Sequence, residues 1–422
     1  LPVIKYLFRI GSMFIDLSPI KNNSEFRKLF LGQTISFLGS MITYVSIPYQ
    51  IYELSKNSFL VGLVATVQLI PLLIAGLYGG ALADSLDRRK LLINSEIGLL
   101  ICSLLFIVNC LLPQPSIIFI FILAGTSSGL VGLHRPAMDA LVPQIVSSAE
   151  MNSVSALGSL RYAIGAVAGP ALGGVLISQI GLSATYAVDA LTFLISIYSL
   201  YKMKSISVPD PLAQVSFASI KEGLNYAFKT PVIMGTYLVD IIAMVFAMPI
   251  ALFPQIADEF GAKKDVGILY AAIPVGAAVI SLFSKPLDKI KRQGAGVILA
   301  ATVWGVFITL MAFGKNIYAM GLALLLAGAA DSISAIFRGT IWNEVIPTNI
   351  RGRLGSLNML SYMIGPLLGN MRAGTMASIS NTYVSILSGG LLCTIACLSC
   401  IWIFPQFWSY VRNQDESKNN LA

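Results

Sequence analysis

The sequence predicts an all-α integral membrane protein with twelve transmembrane helices in two pseudo-symmetric six-helix halves. Three observations carry this. Of the 422 residues 56% are hydrophobic and 11% charged, with a mean hydropathy of +0.79, whereas soluble domains run at about 45–50% apolar and about 25% charged. Twelve apolar runs recur along the chain, each close to or above the roughly 20 residues needed to cross about 30 Å of hydrocarbon. The landmarks of the first six runs return, in order, in the last six. The runs are continuous and many hold Gly and Pro, which excludes an outer-membrane barrel of short alternating strands.

The elements follow in chain order. Residues 1–28 are mixed in character and show no cleavage site, so they are expected to be a cytoplasmic segment without a signal peptide. The first half, 29–203, holds runs near 29–53, 58–83, 91–112, 116–140, 152–178 and 183–203. The linker, 204–230, is the longest polar connection; in "SFASIKEGLNYAFKT" the spacing of Phe217, Ile220, Leu224 and Phe228 predicts an amphipathic helix on the inner leaflet. The second half, 231–408, holds runs near 231–256, 266–287, 294–314, 317–342, 354–378 and 382–408. The tail, 409–422, ends in "RNQDESKNN" and reads as disordered and cytoplasmic.

The formal charge of +8 is distributed as a membrane protein distributes it. Twenty of the 28 Lys and Arg fall on one side of the runs and four on the other (Lys56, Lys263, Lys264 and Lys315). Arg135, Arg161, Arg338 and Arg372 lie within runs. The positive-inside bias is expected to place both termini in the cytoplasm, and no nucleic-acid partner is expected. The five cysteines all lie in apolar runs, without the spacing of a metal site, and read as packing residues. No metal, no cofactor and no catalytic residue is expected: a metal cluster, a nucleophile beside a base and a phosphate-binding glycine loop are all missing from the pattern.

The halves repeat. "FLVGLV" opens the second run and "KDVGILY" the eighth; "LADSLDRRK" and "FSKPLDKIKR" follow them. The fourth run ends "HRPAMDALVP" and the tenth "FRGTIWNEVIP"; "GAVAGPALGG" in the fifth answers "YMIGPLLGN" in the eleventh. Such parallel repeats build secondary transporters, whose binding site lies between the halves near the midplane.

These residues reach a family. "GGALADSLDRRK" resembles the signature of the major facilitator superfamily between its second and third helices, G-x-x-x-D-x-x-G-[RK]-[RK], with Asp87 standing where that signature has its second glycine. "EFRKLFLGQTISFLGSMITYVSIPYQIYEL", "VGILYAAIPVGAAV", "ADSISAIFRGTIW" and "IPTNIRGRLGSL" are similar to the branch holding the enterobactin exporter and related small-molecule efflux proteins. The resemblance implies the major facilitator fold. It also implies export of a siderophore by proton antiport and alternating access, with a multidrug or macrolide-type efflux pump or a lysophospholipid transporter as alternatives. The expected partners are a small anionic or amphiphilic substrate, protons and membrane lipids, and the protein is expected to be a monomer and no enzyme.

The resemblance also suggests an inner gate. Gly80 lets helices approach closely. Asp84 is implied to meet the start of helix eleven, and Arg88 to pair with Asp139 near the inner end of helix four. The repeat extends this to a second, degenerate latch of Lys285, Lys289 and Glu344. Gly169 with Pro170 and Gly365 with Pro366 mark paired hinge or close-packing motifs.

Ionisable groups at membrane depth are costly and usually functional. Asp240, about nine residues into its run, lies roughly 13–14 Å from the inner end with no base within four residues. Desolvation there favours the neutral carboxyl, which suits carrying a proton. Asp331 either shares that role or pairs with Arg338 on its own helix. Arg135 and Asp139 are one turn apart, and Arg135 and Arg338 suit a structural ion pair as well as substrate. Arg161 and Arg372 flank the Gly-Pro motifs and suit an anionic cargo. Tyr44 and Tyr237, with Trp342, offer aromatic contact to a bulky one, although core packing is the commoner use. His134, the only histidine, reads as a polar pore-lining or loop-facing residue.

Overall fold

The computed structural model describes residues 16–204, 225–226, 228–346 and 351–412, without the side chains of 77–85, 288 and 351–363. The expected amphipathic linker helix lies mostly outside the described residues, as do the first fifteen residues and the tail beyond Arg412. No strand occurs among the described residues. Ten helical stretches there are long and apolar enough to cross a membrane. They comprise α1 (Ser24–Ser55), α2 (Ser58–Ser85), α3 (Arg88–Leu111), α4 (Ile117–Ile145), a long helix Met151–Tyr201, α7 (Pro231–Ala247), α8 (Val266–Leu282), α9 (Gln293–Met311), α10 (Ile317–Val345) and α12 (Thr382–Ile403). Gly181, at φ 80°, breaks Met151–Tyr201 into α5 (151–180) and α6 (182–201). A further 29-residue helix, α11, spans Arg351–Ile379. With the break at Gly181, the described residues hold twelve long helices, α1–α12.

Chemistry at the helix ends explains several boundaries. Ser116, Asn316 and Asn381 each accept from a backbone N–H in the first turn of α4, α10 and α12, satisfying donors that have no partner inside the helix. Asp87 does the same for α3, accepting from the N–H groups of Arg89 (3.0 Å) and Lys90 (3.2 Å). The departure from the superfamily signature at this position is therefore a helix cap. Arg89 donates to the carbonyls of Leu200 (2.7 Å) and Tyr201 (2.8 Å). It thereby neutralises the C-terminal end of α6.

The chain forms two compact units, one of Leu1–Ser46 with Ile70–Gln214 and one of Ile47–Leu69 with Val215–Ala422. These units depart from the sequence halves at Ile47–Leu69, the end of α1 and the start of α2, which packs with the second unit. In the first unit α3 packs on α4 and α6, around Leu29, Leu92, Ala137, Leu141 and Leu200. Glycine lets the helices meet: Gly165, Gly169 and Gly173 place α5 against Phe37, Met41 and Ile42 of α1.

In the second unit α10 packs on α8 and α9, α9 on α12, and α11 on α7. Gly365 and Gly369 bring α11 against Met244 of α7, so both Gly-Pro motifs are close-packing sites. Asn370 Oδ1 accepts from Ala251 N (3.0 Å) and secures the chain beyond α7. Four charges join the end of α1 to the connection between α7 and α8. Lys263 Nζ lies 2.8 Å from Glu53 Oε1 and 3.0 Å from Asp258 Oδ1, and Lys56 Nζ lies 3.2 Å and 3.3 Å from the same two carboxylates. The hydrogen bond from Lys263 holds the Asp258 carboxyl below its ordinary range. Glu53 first and Asp258 second push the Lys263 ammonium up.

Candidate functional site

The site is built from α7 and α10 of the second unit. Both are apolar helices whose polar residues recur at helical spacing on one face: Tyr237 and Asp240 on α7, and Asp331, Ser334, Arg338 and Trp342 on α10. The spacings of three, four and seven residues bring such groups onto one stripe. Asp240 is 7% exposed. Sequence reasoning placed no base near it, because the base arrives from another helix: Arg338 Nη1 donates to Asp240 Oδ1. The other guanidinium nitrogen, Nη2, lies 3.8 Å from Asp331 Oδ1. One cation thus stands between two carboxylates, and Asp331, with a third of its side chain accessible, is the open one (33% against 9% for Asp240).

An aromatic wall continues the stripe. The Tyr237 and Trp342 rings meet edge to face with centroids 5.6 Å apart. The Tyr237 hydroxyl is buried with no hydrogen-bond partner among the described residues, as is the Ser334 hydroxyl. Two hydrogen-bonding groups in an apolar setting are therefore available beside the charged cluster, since buried polar groups normally find partners.

The remaining sequence candidates fall elsewhere. Asp139 and Arg161 line a common cavity in the first unit, with Phe30, Met138 and Ser155, and Arg135 lies within electrostatic reach of Asp139. Arg88 reaches the same end of α4 and donates to the carbonyl of Ala140 (3.2 Å), the residue after Asp139. Tyr44 on α1 is exposed. Arg372 turns toward α12, donating to the carbonyl of Ser385 (3.0 Å) and packing beside Gly389. Glu344 accepts from Tyr410 Oη and Arg412 Nε, both at 2.9 Å. The repeat had suggested Lys285 and Lys289 for that position; these two bound a short 3₁₀ turn, Lys285–Lys289. Pro170 and Pro366 lie inside α5 and α11. The side chains of the Gly80 and Asp84 region lie outside the described residues.

Sequence reasoning missed one cluster. Glu96, on α3, is fully buried, and its Oε1 accepts from Gln33 Nε2 (2.8 Å) and Ser36 Oγ (3.2 Å) of α1. His134 Nε2 of α4 lies 3.3 Å from the same oxygen. The signal was present, since Glu96 is the one acid of its apolar run. Nearby on α6, buried Asp189 Oδ2 accepts from Thr43 Oγ1 (2.6 Å) and Ser103 Oγ (2.8 Å).

Comparison with known proteins agrees with this architecture. The sequence pattern of the transmembrane secretion effector family, a branch of the major facilitator superfamily, matches residues 15–417. The enterobactin exporter of Salmonella typhi is 28% identical over 380 residues, 89% of this chain and 91% of that protein. The enterobactin exporter of Escherichia coli O1:K1 is 26% identical over 385 residues, 90% of this chain and 91% of its own. Among solved structures, a D-xylose-proton symporter superposes with a TM-score of 0.70 at 15% identity, covering 89% of this chain and 97% of that one. The nucleoside transporter NupG superposes with a TM-score of 0.68 at 14% identity, covering 92% and 100%. At such identities the solved structures speak for the fold alone.

Proposed function

The chain belongs to the transmembrane secretion effector family of the major facilitator superfamily, and from that premise we propose that it exports an iron-free siderophore across the bacterial inner membrane by proton antiport and alternating access. The observation that carries the cargo is the similarity to enterobactin exporters along 89% of the chain.

The α7–α10 site supplies a chemistry for it. An iron-free catecholate siderophore presents aromatic rings and phenolic hydroxyls, which stay protonated at neutral pH because a phenol titrates near pH 10. Those hydroxyls donate to ionised carboxylates, and Asp331 is the accessible acceptor. A proton on that carboxyl removes its best acceptor capacity, so proton and siderophore compete, as antiport requires. Arg338 pairs with Asp240 on the same face, and Tyr237 and Trp342 offer aromatic surfaces to the rings. Differential binding by the two protonation states then biases which side the site opens to.

The test is uptake into inverted membrane vesicles with an acid interior, offering iron-free enterobactin and a cationic dye side by side. Gradient-driven accumulation of the siderophore, lost in Asp240→Asn, is the expected result. Accumulation of the dye alone would assign the protein to multidrug efflux, and accumulation indifferent to the gradient would remove proton coupling.

A further inference from the structure

Glu96 is shielded from bulk solvent. It lies eight residues into α3, about 12 Å along the helix axis, and is 0% exposed. Gln33, Ser36 and Ser196 around it are buried too, with Gln33 Nε2 bonded to both Glu96 Oε1 (2.8 Å) and Ser196 Oγ (3.1 Å). All three are neutral. Glu96 Oε2 has no hydrogen-bond partner among the described residues. An ion in such surroundings costs several kcal/mol unless it is paired or neutralised, and among the described residues the titratable group at its other oxygen is His134. His134 also keeps a 19% accessible side chain, against 0% for Glu96, so of the two it is the one nearer to solvent, although its Nε2 is itself buried.

One proton on either group neutralises the pair, as a carboxylic acid beside neutral imidazole or as a carboxylate beside imidazolium. Removing it leaves an unpaired charge at apolar depth. The charged groups facing the pair from the packed helices are few. On α6, Asp189 is within electrostatic reach of Glu96 and held by Thr43 and Ser103. On α4, Arg135 follows His134, and Asp139 lies one turn beyond. From α1 the nearest groups are the neutral Gln33 and Ser36.

We propose that Glu96 and His134 form a proton-exchange site inside the first unit, additional to the Asp240–Arg338–Asp331 cluster of the second. The proton passes between His134 Nε2 and Glu96 Oε1, and no other bond is made or broken. The inference rests on the proton-coupled reading given above.

The test compares wild type, Glu96→Gln and His134→Gln in proteoliposomes, using the same iron-free siderophore in two assays. One is accumulation driven by a pH gradient. The other is counterflow exchange without a gradient, which needs no net proton movement. Gln in place of Glu96 keeps an acceptor oxygen for Gln33 and Ser36, so a purely structural role survives the change. The expected result is counterflow retained and gradient-driven accumulation lost in both variants. Accumulation at the wild-type level in both variants overturns the proposal and leaves the coupling role of Asp240 standing. A wild type indifferent to the gradient overturns both. Should Glu96→Gln also lose counterflow, His134→Gln decides alone by the same two readouts. Loss of counterflow in both variants assigns the pair a structural role and overturns the proposal.

Discussion

Arg338 of α10 donates to Asp240 of α7 across 98 residues of sequence, and its second nitrogen faces Asp331 at 3.8 Å. The three groups hold one positive and up to two negative charges, and Asp240 and Arg338 are largely buried. Removing one partner of a buried pair is far costlier than removing both, because the survivor is left uncompensated. Arg338→Gln is therefore expected to destabilise the protein by about 3–5 kcal/mol, and Asp240→Asn in that background to restore part of the loss. Thermal unfolding of the single and double variants in detergent measures this, and additive losses would show that the pair is not coupled.

The cap at Asp87 gives a second expectation. Replacing a capping Asp by Ala costs about 0.5–2 kcal/mol, and by Gly only a few tenths. Asp87→Gly, which restores the family signature, is thus expected to be the milder change. Amide hydrogen exchange at Arg89 and Lys90, the two donors to Asp87, reports the cap directly and is expected to quicken in both variants.

Close packing at glycine predicts an asymmetry. A Cβ at Gly369 would collide with the Met244 backbone of α7, whereas one at Gly158 or Gly339 meets nothing within 4 Å. Gly369→Ala is expected to lower thermal stability. Gly158→Ala and Gly339→Ala are expected to leave it unchanged or raise it by up to about 1 kcal/mol through helix propensity.

The charge cluster of Glu53, Lys56, Asp258 and Lys263 is half-exposed, so each pair is worth about 0.2–1 kcal/mol and weakens with salt. A double-mutant cycle of Glu53→Gln with Lys263→Met measures the coupling. The pH dependence has a definite sign. Asp258, held low by Lys263, contributes above the free carboxylate value, and that contribution disappears as pH falls through its own lowered value. Lys263, pushed up by Glu53 and Asp258, contributes below the free lysine value and loses that contribution as pH rises through its raised one. The cluster is thus whole between about pH 4 and about pH 10, and the measured coupling is expected to shrink on the acid side.

The architecture was legible because hydropathy and turn chemistry are local. Runs ending near 178 and resuming near 183 anticipated the break at Gly181, and the Gly-Pro motifs fell at helix contacts. Partnerships were less legible, since they depend on the register between helices. Asp240 stood out as an acid deep in its run, but nothing local pointed to Arg338 on α10. Glu344 was matched by repeat position to Lys285 and Lys289, while its partners come from the residues after α12. Glu96 was passed over in an apolar run, and its importance rests on Gln33 and His134 from two other helices. Asp87 broke a family pattern for a reason that only the backbone geometry of α3 discloses.

The central claim is that siderophore and proton compete at the α7–α10 carboxylates. The most direct measurement adds iron-free enterobactin to the purified protein in weakly buffered detergent solution and follows the pH, starting on the acid side of neutrality. The account predicts proton release on binding, abolished in the Asp240→Asn/Asp331→Asn double variant. Proton uptake, or binding with no proton change in wild type, would contradict it.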